Sequence, residues 1–465
     1  MMKISYYKVL IFSCLLIINI LLRDSTLSFV LTGAQVVFVL QFLFRNRIQD
    51  AAYWHIVFMI TCYAVTGEEE GFVLKTGYFS TKLFGPITLS YLVGILLYMC
   101  SLKRTKNNMD GTLFKRMYKY FGLFLLMGIT MGGIGLVLSD YFLKSFVGYT
   151  VYIIVLLIHI GILINIFSNN FLQRCYESVL PLLLAALIST IFNWIYGFGH
   201  SYSIYEMVDS SPVANFSILL IFYLPKLSYK DKLIVIILLF VYLYILVLTG
   251  APGKFFLNAS IVALVYVVNR IRHKGFGFIP ALGIIAVAIT FASSYMIEKS
   301  MFYMKFEQFR SLGSLSSGNI KDVGSSPYIR VASMVNICSE NLKNPIYFLV
   351  GRGYGGYFQD DLHLFSSFDL TAGAFSDEAV AKGKFPTAHS TFNVVPLLHG
   401  FGGYALVLLL VFQYFKRSLK QSPLSLVGVL WLFFMFYVFI QASLVGIFLL
   451  YSSEYEIKNN KRLCK

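Results

Sequence analysis

The sequence predicts an all-α polytopic integral membrane protein of about 12–14 transmembrane helices, with one large outer loop that contains short helices. Hydrophobic residues make up 58% of the 465 residues, mean hydropathy is +0.73, and only 13% of residues are charged, against about a quarter in soluble domains. Apolar segments of about 17 residues or more recur, and each is long enough to cross a hydrocarbon core about 30 Å thick. The long polar interruption divides the chain into transmembrane helices over 1–296, an extracytoplasmic catalytic loop over 297–392, and C-terminal helices with a cytoplasmic tail over 393–465.

The helices are predicted from the apolar segments, with ends that the pattern defines only to within several residues. The last apolar stretch, 424–452, is predicted as two short helices with a break near Gln441-Ala442-Ser443, because the basic residues after it favour a cytoplasmic C-terminus. The other predicted helices lie near residues 7–22, 26–44, 51–66, 86–102, 120–138, 147–167, 178–196, 212–227, 233–250, 254–269, 276–296 and 393–415.

The basic residues predict the orientation in the membrane. They concentrate in alternate loops, which the positive-inside bias assigns to the cytoplasm, so the loop 297–392 is predicted to lie outside. The net charge of +16 is therefore explained as a topology signal and does not indicate nucleic-acid binding. The residues that carry it include Arg45, Arg47, Lys103, Arg104, Lys106, Lys115, Arg116, Lys119, Lys230, Lys232, Arg270, Arg272, Lys274, Lys416, Arg417 and Lys420.

Arg330 lies near the predicted start of a helix within the loop. Ser326 is suited to cap this helix and Pro327 to its first position, and Asn344-Pro345 ends it. Free N–H groups and the helix dipole at such an N-terminus favour a phosphate, and a guanidinium adds a bidentate donor for the same oxygens. The equally weighted alternative is a surface ion pair with Glu307 or Asp322.

A glycine cluster follows this helix. Gly351, Gly353 and Gly356 match G-x-G-x-x-G, but a dinucleotide fold needs a βαβ unit that this loop does not contain. The cluster carries Arg352, and a glycine-rich turn lets backbone N–H groups approach an anionic headgroup. A tight turn without a ligand is the more ordinary interpretation.

His389 is the candidate general base. It stands just before Ser390 and Thr391, which are suited to cap the helix that follows, and a near-neutral imidazole is suited to take a proton from a sugar hydroxyl. A lone surface histidine is more often inert, and that alternative stays open. His363 fits a solvated turn better than a metal site, and His399 is predicted to pack inside the next helix. The six cysteines have no paired spacing, so neither a disulfide framework nor a thiolate metal site is indicated. No metal or cofactor is predicted.

Together these motifs resemble the O-antigen polymerase and ligase superfamily of bacterial membrane glycosyltransferases. The family pattern has an arginine that opens a helix, a Gly-x-Gly turn, and a histidine before a glycine-bearing transmembrane helix. Two positions depart from it: Lys254 stands in place of the family arginine, and Ser390 in place of the usual asparagine. The resemblance covers roughly residues 230–415 and is carried by Thr249-Gly250-Ala251-Pro252-Gly253-Lys254, Arg330, Asn344-Pro345, Gly351-Arg352-Gly353-Tyr354-Gly355, Ala388-His389-Ser390 and Leu398-His399-Gly400-Phe401-Gly402-Gly403.

The resemblance implies an enzyme of the bacterial inner membrane, with its active site on the outer side, that polymerises polyprenyl-diphosphate-linked oligosaccharide repeat units into a surface polysaccharide. Arg330 and Lys254, with Arg352 as a weaker candidate, are expected to bind the diphosphate. His389 is expected to take the acceptor proton, and Arg330 to share in catalysis. The lipid-linked donor and acceptor are the substrates. Membrane lipids, a chain-length regulator and a flippase are candidate partners.

Other functions remain open from the sequence. An O-antigen ligase transfers the finished polymer to lipid A–core with the same motifs, and greater sequence divergence among polymerases favours the polymerase. A flippase or transporter for the same lipids is expected to carry ionisable residues within its helices and to have two related halves. A receptor or scaffold is expected to tolerate loss of Arg330 and His389.

Overall fold

In the computed structural model, the described part of the chain is mainly α-helical. Five helices in the described part of the chain are long and apolar enough to cross a membrane, by length and composition: those within Leu27–Phe44, Phe114–Leu138, Leu143–Asn165, Asn169–Gly197 and Thr391–Lys416. This agrees with the predicted all-α membrane protein. The structure describes residues 3–23, 25–62, 77–79, 81–84, 87–103, 112–198, 211–248, 325–365, 375–387, 390–437 and 439–463.

Seven α-helices form the first half of the described chain, and all seven were predicted. Helix α5 begins at Thr112 and α7 at Asn169, well before the apolar segments predicted near 120 and 178. The reason is that charged and amide side chains such as Lys, Arg and Gln are good helix formers, so a helix continues beyond the apolar residues. The helices are α1 (Tyr6–Leu21), α2 (Leu27–Phe44), α3 (Ile48–Thr61), α4 (Leu89–Leu102), α5 (Thr112–Leu138), α6 (Leu143–Asn165) and α7 (Asn169–Phe198).

Between α3 and α4 a short antiparallel ribbon joins β1 (Lys82–Phe84) to β2 (Ile87–Thr88). After α7 the stretch predicted as one helix over 212–227 forms a 3₁₀ helix at Pro212–Phe222 and a 3₁₀ turn at Leu224–Lys226. It is followed by α8 (Tyr229–Leu248). The helices predicted near 254–269 and 276–296 lie outside the described residues.

The described part of the polar loop contains short helices, as predicted. They are α9 (Ser325–Leu342), α10 (Pro345–Val350) and α11 (Asp377–Lys382). Strands β3 (Phe358–Gln359) and β4 (Lys384–Phe385) pair antiparallel. Four buried phenylalanine rings pack around this pair, with neighbouring centroids 4.6–6.3 Å apart: Phe358, Phe365, Phe375 and Phe385.

The C-terminal part consists of α12 (Thr391–Gln421), α13 (Pro423–Met435) and α14 (Ile440–Leu463). Two helices after α12 were predicted, but the break near Gln441-Ala442-Ser443 was wrong: α14 runs through these residues. Gln441 donates to the Met59 carbonyl at 3.2 Å, and the Ser443 and Tyr152 hydroxyls are 2.7 Å apart. Because neighbouring helices satisfy these polar groups, they do not interrupt the helix.

The actual break follows Met435, where α13 ends against the start of α12. The Thr391 hydroxyl contacts the carbonyl oxygens of Phe434 at 2.7 Å and Phe436 at 2.9 Å. Both carbonyls belong to the end of α13, which leaves its last C=O groups without helical partners. The first turn of α12 therefore supplies the missing donor and joins the loop side of α12 to that of α13.

Candidate functional site

Arg330 lies on α9, in the second helical turn. The helix begins at Ser325, two residues before the predicted start, so Arg330 lies about half a turn, or about 3 Å, further from the free N–H groups than the sequence indicated. Its long side chain is exposed, and arginine side chains on a helix lean toward the N-terminus. The protein around the guanidinium still withholds water from it, and this desolvation lowers the pKa of Arg330. Arginine remains charged under all ordinary conditions.

Within the part of the chain that the structure describes, no carboxylate forms an ion pair with Arg330. The two acidic residues proposed as alternative partners, Glu307 and Asp322, lie outside the described residues. An exposed cation that is partly desolvated is suited to receive an anionic ligand, because the ligand replaces water that is already incomplete.

Two asparagines of the loop and of α12 hold α9 in place. The Asn393 amide donates to the Arg330 carbonyl at 2.8 Å, across 63 positions of sequence. The Asn341 amide donates to the Pro396 carbonyl at 3.0 Å. The first turns of α12 are therefore hydrogen-bonded to α9, and the backbone of Arg330 lies directly beside the start of α12. Neither asparagine was singled out from the sequence, because one asparagine beside an apolar segment gives no signal of its partner.

Arg352 pairs with a carboxylate of the protein itself. Its guanidinium forms an ion pair with Glu340 of α9, and the two side chains are only 14% and 6% exposed. The other Glu340 oxygen accepts from the Gln359 backbone N–H at 2.6 Å, and the guanidinium lies over the Tyr347 ring, 4.9 Å from its centroid. Desolvation raises the pKa of Glu340, and the charge of Arg352 opposes that shift. Arg352 thus has a structural partner, which makes it a weaker ligand for a diphosphate.

The Arg352–Glu340 pair gives a prediction about stability. Arg352→Ala is expected to destabilise the protein by about 3–5 kcal/mol, because it leaves a buried carboxylate without its counter-ion. Without the charge of Arg352, burial holds the pKa of Glu340 still higher, so the folded state binds a proton that the unfolded state has released. Stability then falls as pH rises through that interval, and the deficit should be smaller at about pH 5 than at about pH 8. Thermal unfolding in detergent at both pH values measures it.

The control for this prediction is the double variant Arg352→Ala/Glu340→Gln, which removes both charges. It should recover most of the lost stability at pH 8 and lose the pH dependence of the single variant. A double variant as unstable as Arg352→Ala would show that packing of the arginine, and not its charge, matters.

The glycine turn, Gly351–Gly355, fits closely against α5 and α12. Gly351, Gly353 and Gly355 have φ values of 73°, 77° and 79°, a region that side chains with a Cβ rarely adopt. A Cβ on Gly351 would lie 2.3 Å from the His399 nitrogen, and one on Gly353 would lie 2.1 Å from the Gly132 nitrogen. The glycines are therefore required for backbone-to-backbone packing.

The N–H groups of this turn are already bonded. Those of Arg352 and Gly353 donate to the Leu397 and Leu398 carbonyls of α12, both at 2.9 Å, and that of Tyr354 donates to Gly128 of α5 at 2.9 Å. The two α12 carbonyls are available because the helix is kinked at Gly400, whose φ is 62° and ψ −171°. These N–H groups do not form an anion cradle, and the ligand-free interpretation of the turn agrees with the structure.

A buried chain of hydroxyls links this turn to the C-terminal helices. His399 is fully buried, as predicted, and its Nε2 is 2.6 Å from the Tyr437 hydroxyl. The Tyr437 and Tyr354 hydroxyls are 3.0 Å apart, and that of Tyr354 contacts the Phe124 carbonyl at 3.2 Å. Each hydroxyl has one proton, so Tyr354 donates to Phe124, Tyr437 to Tyr354, and His399 through Nε2–H to Tyr437. Tyr437, at a φ of 63°, was missed from the sequence because it falls in an apolar stretch.

A second buried polar chain joins α3 and α6. The Nε2 atoms of His55 and His159 are 3.0 Å apart, the Tyr78 hydroxyl is 2.8 Å from His55 Nδ1, and His159 Nδ1 is 2.7 Å from the Val155 carbonyl. The carbonyl accepts only, so His159 carries its proton on Nδ1, His55 on Nε2, and Tyr78 donates to His55. Every member is satisfied with neutral rings, which makes the chain a connection between α3, α6 and residue 78.

The acidic residues near His363 also have partners. Asp360 accepts from the Asn336 amide at 2.8 Å and from the backbone N–H groups of Leu364 and Phe365 at 2.9 and 2.8 Å. Asp361 forms an ion pair with Lys343 at 2.9 Å. The Asp360 oxygens stabilise a turn, in agreement with the solvated turn that we predicted. No group of three His, Cys, Asp or Glu residues suited to a metal ion occurs among the described residues.

His389 and Lys254 lie outside the described residues, so their predicted roles stay predictions. The described chain on either side of residue 389 is well anchored: Phe385 belongs to the phenylalanine core, and α12 begins at Thr391. Of the four predicted site residues, the structure describes Arg330 as an exposed cation and Arg352 as a buried ion-pair member. No family model, curated protein or solved structure matches the chain.

Proposed function

We propose that this chain is a membrane glycosyltransferase that polymerises polyprenyl-diphosphate-linked oligosaccharide repeat units into a surface polysaccharide at the outer face of the bacterial inner membrane. One observation supports this most directly. Arg330 is an exposed, partly desolvated guanidinium, and the Asn393 amide fixes its backbone to the start of α12. A fixed cation beside a transmembrane helix suits a lipid headgroup whose charge lies at the membrane surface.

The proposed reaction is a glycosyl transfer without a metal. The acceptor hydroxyl attacks the anomeric carbon of the donor, a new C–O bond forms, and the bond from that carbon to the diphosphate oxygen breaks. Charge develops on the departing polyprenyl diphosphate, where Arg330 and Lys254 stabilise it. His389 accepts the proton of the hydroxyl. Arg352 takes no direct part in this proposal, because Glu340 already pairs with it.

The test is complementation of a host that lacks its own repeat-unit polymerase, with wild type and with His389→Ala. We expect wild type to restore a ladder of long polysaccharide. We expect His389→Ala to leave single repeat units on lipid A–core, with the variant protein present in the membrane at the wild-type amount. A general base contributes about 10²–10⁴-fold in rate, so the ladder should disappear.

The products separate this proposal from the other functions. In a host that lacks its own ligase, transfer of polymer to lipid A–core by wild type, with lipid-linked polymer and bare lipid A–core left by His389→Ala, identifies the ligase instead. Lipid-linked repeat units that stay on the cytoplasmic face when His389→Ala replaces wild type identify a flippase. An unchanged ladder from His389→Ala at wild-type protein level would contradict the role of this histidine.

A further inference from the structure

The end of α9, α10 and the glycine turn lie beside the membrane-spanning parts of α5 and α12, well below the loop-side ends of these helices. The Leu349 backbone packs on Gly402, where a Cβ would lie 2.4 Å from the Leu349 oxygen. Gly402 lies just beyond the kink at Gly400, which is nine residues, or about 13 Å of helix, from the start of α12. The Tyr354 ring packs on Gly128, ten residues before the end of α5, or about 15 Å.

The exposed apolar surface of α5 continues to its loop-side end. Its last two residues, Val137 and Leu138, are 83% and 77% exposed, and the helix is apolar over Phe114–Leu138. Exposed apolar side chains at both positions are stable in lipid, whereas their exposure to water costs free energy. A segment that packs ten residues below this end is therefore surrounded by hydrocarbon wherever protein does not cover it.

The surface of this segment is inverted relative to that of a water-soluble loop. The buried face of α9 carries the polar Ser333, Asn336, Glu340 and Asn341 among apolar side chains, and each of these four polar side chains has a hydrogen-bond partner in the protein. The outward side chains Leu342, Ile346 and Leu349 are 69%, 60% and 58% exposed. The apolar side chains that gave α9 its helical periodicity are only half-buried and continue the same outward face: Val331, Met334, Val335 and Cys338.

The backbone of the segment meets the requirement for chain inside a bilayer. Non-helical backbone is tolerated at membrane depth only where its polar groups are satisfied by protein. The N–H groups of Arg352, Gly353 and Tyr354 donate to helix carbonyls, and the Gly355 carbonyl accepts from Phe142 at 3.0 Å, back at the start of α6. The chain thus enters along α12 and turns back between α5 and the start of α6.

We propose that Pro345–Gly355 is a re-entrant membrane segment, with Ile346 and Leu349 in contact with the acyl chains of the surrounding bilayer. It enters the hydrocarbon between α5 and α12 and returns to the side from which it came. Part of the polar interruption in the sequence is therefore membrane structure and not outer loop. This inference does not depend on the proposed enzymatic function.

Fluorescence quenching in reconstituted liposomes tests the re-entrant segment. Ile346→Cys and Leu349→Cys are each labelled with the fluorophore NBD in full-length protein that lacks Cys464, the exposed Cys14 and the half-buried Cys100 and Cys338. Leu408→Cys, at an exposed position within α12, is the lipid control, and Asp361→Cys, on the loop surface, is the aqueous control. Since all four side chains are exposed, the variants are expected to fold like wild type.

We expect nitroxide-labelled lipid to quench NBD at 346 and 349 nearly as strongly as at 408. Aqueous iodide is expected to quench both at least about threefold less than at 361, because hydrocarbon excludes the ion. Strong iodide quenching at 346 and 349 without quenching by nitroxide lipid overturns the proposal and restores an aqueous loop. Quenching by neither also overturns it, because another part of the protein then covers the segment.

Discussion

Arg330→Ala is expected to lower polysaccharide polymer formation by at least about 10²–10³-fold, the loss observed when one fixed electrostatic donor is removed from a transition-state site. The expectation follows from the proposed function. Charge develops on the leaving diphosphate, and the described structure gives Arg330 no carboxylate that would neutralise it. The measurement is the polymer ladder of the complemented host, together with the rate of polymer formation from lipid-linked repeat units by purified protein.

Two further variants make the Arg330 experiment specific. Arg330→Lys keeps the charge but loses the planar, bidentate guanidinium, so its activity should lie between that of wild type and that of Arg330→Ala. Lys343→Ala removes another loop cation, which is 63% exposed and paired with Asp361, and should leave polymer formation unchanged. Since the Arg330 side chain is exposed, thermal unfolding of Arg330→Ala should match that of wild type. Full activity in Arg330→Ala would remove the observation on which the proposed function depends.

Gly353→Ala is expected to destabilise the protein by about 3–5 kcal/mol. Two costs combine: the new Cβ lies 2.1 Å from the Gly132 nitrogen, and a φ of 77° is unfavourable for alanine. The contact is backbone against backbone, so no side-chain rotation relieves it. The consequence should be lower accumulation in the membrane and a lower unfolding temperature in detergent.

Two other glycines separate the clash from the backbone conformation. Gly383→Ala retains an unfavourable φ of 62° with nothing within 4 Å of the new Cβ, and should cost about 1–2 kcal/mol. Gly133→Ala, next to Gly132 in α5, also meets nothing within 4 Å, and should be neutral or stabilise the helix by up to about 1 kcal/mol. If Gly353→Ala unfolds no earlier than Gly383→Ala, the turn is not packed on α5 as described.

The local helices of this protein were largely predictable. Apolar segments long enough to cross a bilayer located α1 to α7 and α12, and Pro327 and Asn344-Pro345 marked both ends of α9 to within about two residues. The break after Met435 was not predictable, because it depends on Thr391 of another helix. Polar residues such as Gln441 suggested a break at their own positions, but neighbouring helices satisfy their hydrogen bonds and the helix continues through them.

The candidate site was predictable only in part. The sequence shows that Arg330 and Arg352 are cations in one polar stretch. It does not show that Glu340 forms an ion pair with Arg352, or that no described carboxylate pairs with Arg330. The hydrogen bond from the Asn393 amide to the Arg330 carbonyl spans 63 positions, and the residues next to either partner give no sign of it. The predicted roles of His389 and Lys254 remain predictions.

The sequence by itself determined the class of the protein, the helical segments and the set of residue types available in its polar stretch. These follow from transfer free energy and helix spacing, which depend on residues close together in the chain. Only the tertiary structure decided that the glycine turn is a packing element, that Arg352 is neutralised, and that part of the polar stretch lies at membrane depth. The physical reason is that each depends on which groups meet across distant segments, where the partner of a polar atom decides whether burial is stable.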